Sequence, residues 1–174
     1  AETIKEQLGL QDITITQIIT ENAEEINTHE LEVAKSNVTE KTQTVDKTEE
    51  IANINGIEIA TLPITGTISS RYGVSSRIRV STHTGLDIAA TTGTPIKVIA
   101  DGTVTSAQYT GSYGYLVKVD HGNGVESWYA HTSKMYVKAG EMVKAGDVIA
   151  AVGSTGNSTG PHLHLEIRIN GQHV

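Results

Sequence analysis

The 174-residue chain has no cysteine, no phenylalanine, one tryptophan and three prolines. Without cysteine there are no disulfides and no thiolate metal sites, so any metal has to be held by histidine, aspartate or glutamate. No apolar run approaches the roughly 18–20 residues of a membrane span, and no charged-then-apolar leader opens the chain. The first residue is Ala1, not methionine, which reads as a piece excised from something longer and leaves room for a signal or anchor upstream. A basic stripe interleaved with aromatics is also missing, which argues against nucleic acid as a partner. Apolar residues make up 37% of the chain, enough to bury a core as one domain plus an appendage.

Charge and glycine divide the chain at the same place. Residues 1–55 hold twelve acids against four lysines, a balance of −8, whereas residues 56–174 hold eight acids against nine Lys and Arg, a balance of +1. Sixteen of the seventeen glycines lie at or after Gly56, and every proline at or after Pro63. Residues 1–55 read as a β-leaning extension or partial accessory domain, with a short helix at Thr3–Leu8 and strand-like alternation at Ile13–Thr16 and Leu31–Val33. His29-Glu30 does not start a zinc-protease HExxH helix, because position 33 is Val33.

Residues 56–174 carry short apolar runs at regular spacing between glycine turns, the pattern of an all-β sandwich or barrel. Strands are expected at Thr67–Ser69, Leu86–Ala89, Pro95–Ala100, Gly102–Tyr109, Leu116–Asp120, Glu126–His131, Val148–Val152 and His162–Ile169. Asn123-Gly124 predicts an antiparallel hairpin between residues 116–120 and 126–131, with His121 exposed in its turn. Val-Lys-Ala-Gly recurs at a six-residue step, residues 137–140 and 143–146. It echoes the half-motif of lipoyl and biotinyl carriers, but surface turns in a β-sandwich account for it more simply.

Three segments carry candidate chemistry. In Pro161-His162-Leu163-His164-Leu165-Glu166-Ile167, strand alternation puts His162 and His164 on one face and the leucines on the other. Such a pair suits metal binding or acid–base work, although two histidines on a solvated face would look the same. His83 and Asp87 flank Gly85 in Thr82-His83-Thr84-Gly85-Leu86-Asp87, and His131 ends Trp128-Tyr129-Ala130-His131. A catalytic zinc takes three N or O ligands and keeps a position for water, so five candidates would leave two histidines beside the ion. Tyr113 and Tyr115, flanked by Gly111 and Gly114, read as a cleft wall or a surface loop, and Gly153–Gly160 as the opposite wall. His173 lies at the end of the chain.

Residues from about 61 onward resemble the catalytic domain of lysostaphin/LytM-type zinc metallopeptidases. The match lies in Ile68-Ser69-Ser70-Arg71-Tyr72-Gly73, His83-Thr84-Gly85-Leu86-Asp87, Tyr129-Ala130-His131 and Gly160-Pro161-His162-Leu163-His164-Leu165-Glu166. The resemblance implies an antiparallel two-sheet β-sandwich, a barrel-sandwich hybrid of the duplicated-hybrid-motif kind, with an open groove. It implies a zinc ion on His83, Asp87 and His164, with His131 and His162 as the two active-site histidines that do not bind it. The implied activity is hydrolysis of peptide bonds in bacterial peptidoglycan by a secreted or envelope-anchored enzyme, with residues 1–55 available to envelope protein partners. Some relatives of that fold lack the ligands and act as scaffolds, activators or sporulation-complex components. A carrier or phosphotransfer module, needing no zinc, is a further alternative. In other relatives an upstream segment occupies the cleft, which makes Asn53 and Asn55 candidates for an inhibitory ligand.

Overall fold

In the computed structural model, which describes residues 52–74 and 82–174, the structure is β-strand joined by turns and one short 3-10 turn, Gly111–Tyr113. The features expected within residues 1–51, His29 included, lie outside the described residues. The strands are β1 (Ala52–Ile54), β2 (Ile57–Ile59), β3 (Thr67–Ser70), β4 (Leu86–Ala89), β5 (Pro95–Lys97), β6 (Gly102–Tyr109), β7 (Tyr115–Gly122), β8 (Val125–Thr132), β9 (Lys134–Met135), β10 (Met142–Val143), β11 (Val148–Ala151), β12 (His162–Ile169) and β13 (Gln172–His173).

Pairing is antiparallel throughout. The large sheet runs β10-β6-β7-β8-β12-β4-β3, with β13 added beside β12, and the small sheet runs β5-β11-β9. One apolar core draws on both sheets and on the β1–β2 hairpin, including Ile54, Ile59, Ile96, Ile149, Leu163 and Ile167. The sequence boundary at residue 55 falls in the turn of that hairpin, so the packed unit reaches back at least to Ala52.

Asn-Gly pairs close three of the hairpins. Asn55-Gly56, Asn123-Gly124 and Asn170-Gly171 have φ of 51° and 83°, 50° and 74°, and 51° and 80°, the left-handed pair that two-residue hairpin turns need to match strand twist. The β7–β8 hairpin pairs as expected, with Val119 opposite Ser127. Val98–Ala100 do not extend β5: Val98 exchanges backbone bonds with Gly146 and Asp147, and Ile99 N–H donates to the Tyr129 hydroxyl at 3.1 Å.

The Val-Lys-Ala-Gly repeat also finds its explanation here. Gly140 N–H donates to Val104 O at 2.8 Å and Gly146 N–H to Val98 O at 2.9 Å, while the carbonyls of Glu141 and Asp147 accept from the same two valines. Two glycine turns six residues apart thus clasp two valines six residues apart. Both glycines have φ of 90°.

Two expectations are corrected. His121 is not exposed: β7 continues to Gly122, and the ring is buried, with Nδ1 2.7 Å from Asp101 O and Nε2 2.7 Å from Ser127 Oγ. Asn53 and Asn55 do not approach the groove described below. Asn53 Oδ1 accepts from Gly56 N–H, and Asn55 donates to Asn123 O at 2.7 Å. That turn neighbours the Ile169 end of β12, since Asn170 N–H donates to Gly124 O. At roughly 3.3 Å per residue, five residues of strand put it about 17 Å from His164.

Candidate metal centre

Strand alternation on β12 does most of the positioning. Leu163, Leu165, Ile167 and Ile169 face the core, so His162, His164, Glu166 and Arg168 share the other face. On one side β4 pairs His164 with Asp87, and on the other β8 pairs His164 with Ala130. Asp87 lies between Leu86 and Ile88, both in the core, and so shares the histidine face. His83 arrives on the loop before β4, held by backbone bonds between His83 and the Gly73–Val74 segment. Gly85 lets that loop lie against β12; a Cβ there would sit 2.3 Å from Leu165 O.

The three donor atoms converge. His83 Nε2 lies 2.9 Å and His164 Nδ1 2.7 Å from Asp87 Oδ1, and the two nitrogens are 3.1 Å apart. All three residues are buried. The far nitrogens are committed elsewhere: His83 Nδ1 lies 2.9 Å from Arg71 O and 3.1 Å from Ser70 Oγ, and His164 Nε2 lies 3.1 Å from Glu166 Oε1. Each ring can therefore donate outward and offer a lone pair inward. Burial would raise the pKa of Asp87, but hydrogen bonds from His164 and His83 outweigh it and hold the carboxyl well below the usual range. Burial likewise opposes a charge on His164, and its bonds to Asp87 and Glu166 reverse that, raising its pKa.

His131 and His162 stand beside this cluster, with ring centroids 4.7 Å apart. His162 Nε2 is 3.7 Å from Asp87 Oδ1, too far for a hydrogen bond. Both rings are tied through Nδ1: His131 to Thr155 O at 2.8 Å, His162 to Gly160 O at 2.8 Å and Ser158 Oγ at 3.2 Å. Burial, with repulsion from His162 and His164, lowers the pKa of His131 to about 4 even though the bond to Thr155 opposes it. His131 has φ of 60°, a conformation that non-glycine residues keep only where the surroundings impose it.

All five side chains line one open groove of about 940 Å³. Ser112, Tyr113 and Asn157–Pro161 line it as well, but not as the opposite walls expected from the sequence, because the two segments pack against each other. Asn157 N–H donates to Ser112 O at 2.8 Å, and a Cβ on Gly114 would meet Thr155 at 2.4 Å, so the two segments form one continuous wall. Tyr115 does not join the wall; it is exposed and stacks edge-on with Tyr109.

Sequence reasoning missed Glu166 and, among its partners, Thr84 and Arg168. The carboxylate is fully buried and accepts from Thr84 Oγ1 at 2.6 Å, Tyr113 OH at 2.8 Å and Arg168 Nη2 at 2.7 Å, besides His164. Burial would raise its pKa, but these bonds bring it down to about 2. Burial and the bond to Glu166 raise the pKa of Tyr113. His173, read only as a chain end, lies with Nε2 3.4 Å from Glu166 Oε2. Alternation alone puts Glu166 on the His164 face, which was the signal available.

Residues 81–174 match the family described as Peptidase family M23. The DD-carboxypeptidase/endopeptidase Mpg of Neisseria meningitidis is 50% identical over 110 residues, 62% of this chain and 25% of that protein. The murein hydrolase activator EnvC of Escherichia coli is 40% identical over 112 residues, 64% of this chain and 26% of that protein. Among solved structures, a zinc containing peptidase from Vibrio cholerae superposes with a TM-score of 0.60 at 33% identity, covering 63% of this chain and 35% of that one. The catalytic domain of lysostaphin from Staphylococcus simulans gives 0.58 at 34% identity, covering 63% and 87%. The chain spans about a quarter of the length of the curated relatives it matches.

Proposed function

The chain belongs to peptidase family M23, and from that premise we propose that it is a zinc-dependent endopeptidase cutting peptide bonds in bacterial peptidoglycan, in the stem peptide or the cross-bridge. His83 Nε2, Asp87 Oδ1 and His164 Nδ1 hold the ion, and His131 and His162 are the catalytic histidines. The observation that carries this reading is the convergence of three donor atoms within 3.1 Å of one another, with the far nitrogens of both imidazoles already occupied. Two imidazoles and one carboxylate are a donor set that zinc accepts with a position left open. A zinc ion there supplies Lewis acidity towards water and the substrate carbonyl.

The chain's own residues supply the proton handling. His131 is neutral at pH 7, and with Nδ1–H donated to Thr155 O its Nε2 is free to take a proton from water in the groove. That proton then passes from Nε2 to the leaving amine. His162, fixed through Nδ1 in the same way, stabilises the developing oxyanion once Nε2 is protonated. The groove in front of these histidines, lined by Ser112–Tyr113 and Asn157–Pro161 among others, is open, which suits an extended peptide. A cell-envelope or extracellular setting follows from that substrate.

The test combines zinc content with digestion of purified peptidoglycan and mass analysis of the fragments. His131→Ala should keep its zinc and lose hydrolysis by about 100- to 10,000-fold. Equal digestion by the variant would sink the catalytic reading. The likeness to EnvC supports a second reading, an envelope activator whose residues 1–55 engage protein partners. That reading expects His131→Ala to retain full function, with no peptidoglycan cleavage by the parent.

A further inference from the structure

Resting on the zinc-site reading above, we propose that Glu166 is the positioning residue of the centre: one buried carboxylate that orients ligand His164 and ties both the His83 loop and the groove wall to it. Glu166 follows His164 by two residues on the same strand face. Its Oε1 sits 3.1 Å from His164 Nε2, the nitrogen opposite the one that faces Asp87. With Nε2–H donated to this oxygen, Nδ1 is left as a lone pair, so Glu166 selects the tautomer in which His164 can ligate. A carboxylate behind a ligating histidine also makes that histidine a stronger donor.

The same oxygen accepts from two further hydroxyls. Thr84 Oγ1, at 2.6 Å, belongs to the residue after His83, and Tyr113 OH, at 2.8 Å, belongs to the groove wall. Oε2 takes Arg168 through Nε at 3.1 Å and Nη2 at 2.7 Å. The guanidinium lies over the Trp128 ring at 3.4 Å, with Lys118 Nζ 3.5 Å from the same ring, and Tyr113 packs edge-on against Trp128. One anion with no exposed surface therefore joins a ligand, the neighbour of a second ligand, a wall tyrosine and a clamped arginine. Arg168 supplies the compensating charge that a buried carboxylate requires.

Only a carboxylate satisfies all five donors. In Glu166→Gln the amide NH2 must face either Arg168 or His164 with the two hydroxyls; the hydroxyls can turn to accept, but donor meets donor at the guanidinium in the first case and at His164 Nε2–H in the second. The proposal is tested on the 174-residue chain stripped of metal. Zinc affinity is measured by competition with a chromophoric chelator for the parent, Glu166→Gln and Tyr113→Phe, with thermal unfolding of each metal-free protein alongside. Glu166→Gln should lose 10- to 100-fold in zinc affinity. Tyr113→Phe, which leaves the carboxylate and the His164 contact in place, should lose less. Parent-like affinity in Glu166→Gln overturns the proposal while leaving the zinc reading intact; a parent that binds no zinc overturns both. Should Glu166→Gln fail to fold, imidazole nitrogen NMR of the parent decides. A proton on His164 Nε2 in the zinc-loaded protein supports the proposal, and its absence refutes it.

Discussion

A single methyl group at Gly85 should pull the metal centre apart. Built on the backbone there, a Cβ lies 2.3 Å from Leu165 O and 3.0 Å from both Glu166 Cγ and His164 Cε1. Ordinary contact begins at 3.4 Å, so the loop must withdraw by roughly 3.4 − 2.3 = 1.1 Å. β12 will not yield, because it is ladder-paired to β8 and β4 on either side. His83, two residues before Gly85, travels with the loop, whereas Asp87 and His164 stay in their strands. The 2.9 and 3.1 Å approaches of His83 Nε2 then open by a comparable amount. Gly85 is not among the positive-φ glycines, so the clash alone carries the effect. A displacement of about 1 Å costs on the order of 100-fold in rate. The overpacking itself costs about 1–3 kcal/mol, and each kcal/mol moves Tm by about 2–8 °C. The assays are zinc affinity by chelator competition and peptidoglycan digestion, with melting of the metal-free protein alongside. A Gly85→Ala protein that binds zinc and digests like the parent would show that the loop has slack the structure does not suggest.

Two predictions lie away from the centre. Burial lowers the pKa of His121, although bonds to Asp101 and Ala100 oppose it, so below the model-peptide value of 6.5 the unfolded chain binds protons that the folded one refuses. The associated stability is therefore present above about pH 6.5 and lost as pH falls below it. Melting between pH 5 and 8 should show that decline in the parent and a shallower one in His121→Gln; equal slopes would count against it. Deleting residues 1–60 should not release activity, because Asn53 and Asn55 are engaged at the far turn. Deletion should instead remove Ile54 and Ile59 from the core, at about 1.5–3 kcal/mol each, and a more active truncated protein would revive the inhibitory reading.

What sequence could reveal depended on whether the signal was local. Gly102–Tyr109 and His162–Ile169 were delimited to the residue, because alternation and the flanking Gly or Gly-Pro both operate within a few positions. Asn123-Gly124 announced its hairpin for the same reason. Asn55-Gly56 carries the same dipeptide between isoleucine-rich runs, but the change in glycine content at the same place reads as a boundary instead. His121 was misread because its partner, the carbonyl of Asp101, lies twenty residues earlier and is brought near by β6–β7 pairing. Tyr115 shares its glycine-rich loop with Tyr113, but only the fold decides that one meets Glu166 while the other meets Tyr109.

His131 shows most clearly why periodicity could not have assembled the site. Ser127 and Tyr129 on β8 are wholly buried, with Tyr129 in the core, so simple alternation sends residue 131 to that same face, away from His164. The left-handed backbone at φ 60° breaks the alternation and lets the ring reach His162 and His164, at centroid distances of 4.7 and 5.8 Å. Such a conformation costs on the order of 1–3 kcal/mol and persists only where neighbours over-determine it. Here Thr155 does so twice: its carbonyl accepts from His131 Nδ1, and its hydroxyl donates to Thr132 O at 2.8 Å while accepting from Tyr115 N–H. The wall loop that bounds the groove is thus also the device that turns His131 into it. At His131 the chain gives up fold stability to turn a strand residue off the core face, and it recovers part of that through the loop the substrate would touch.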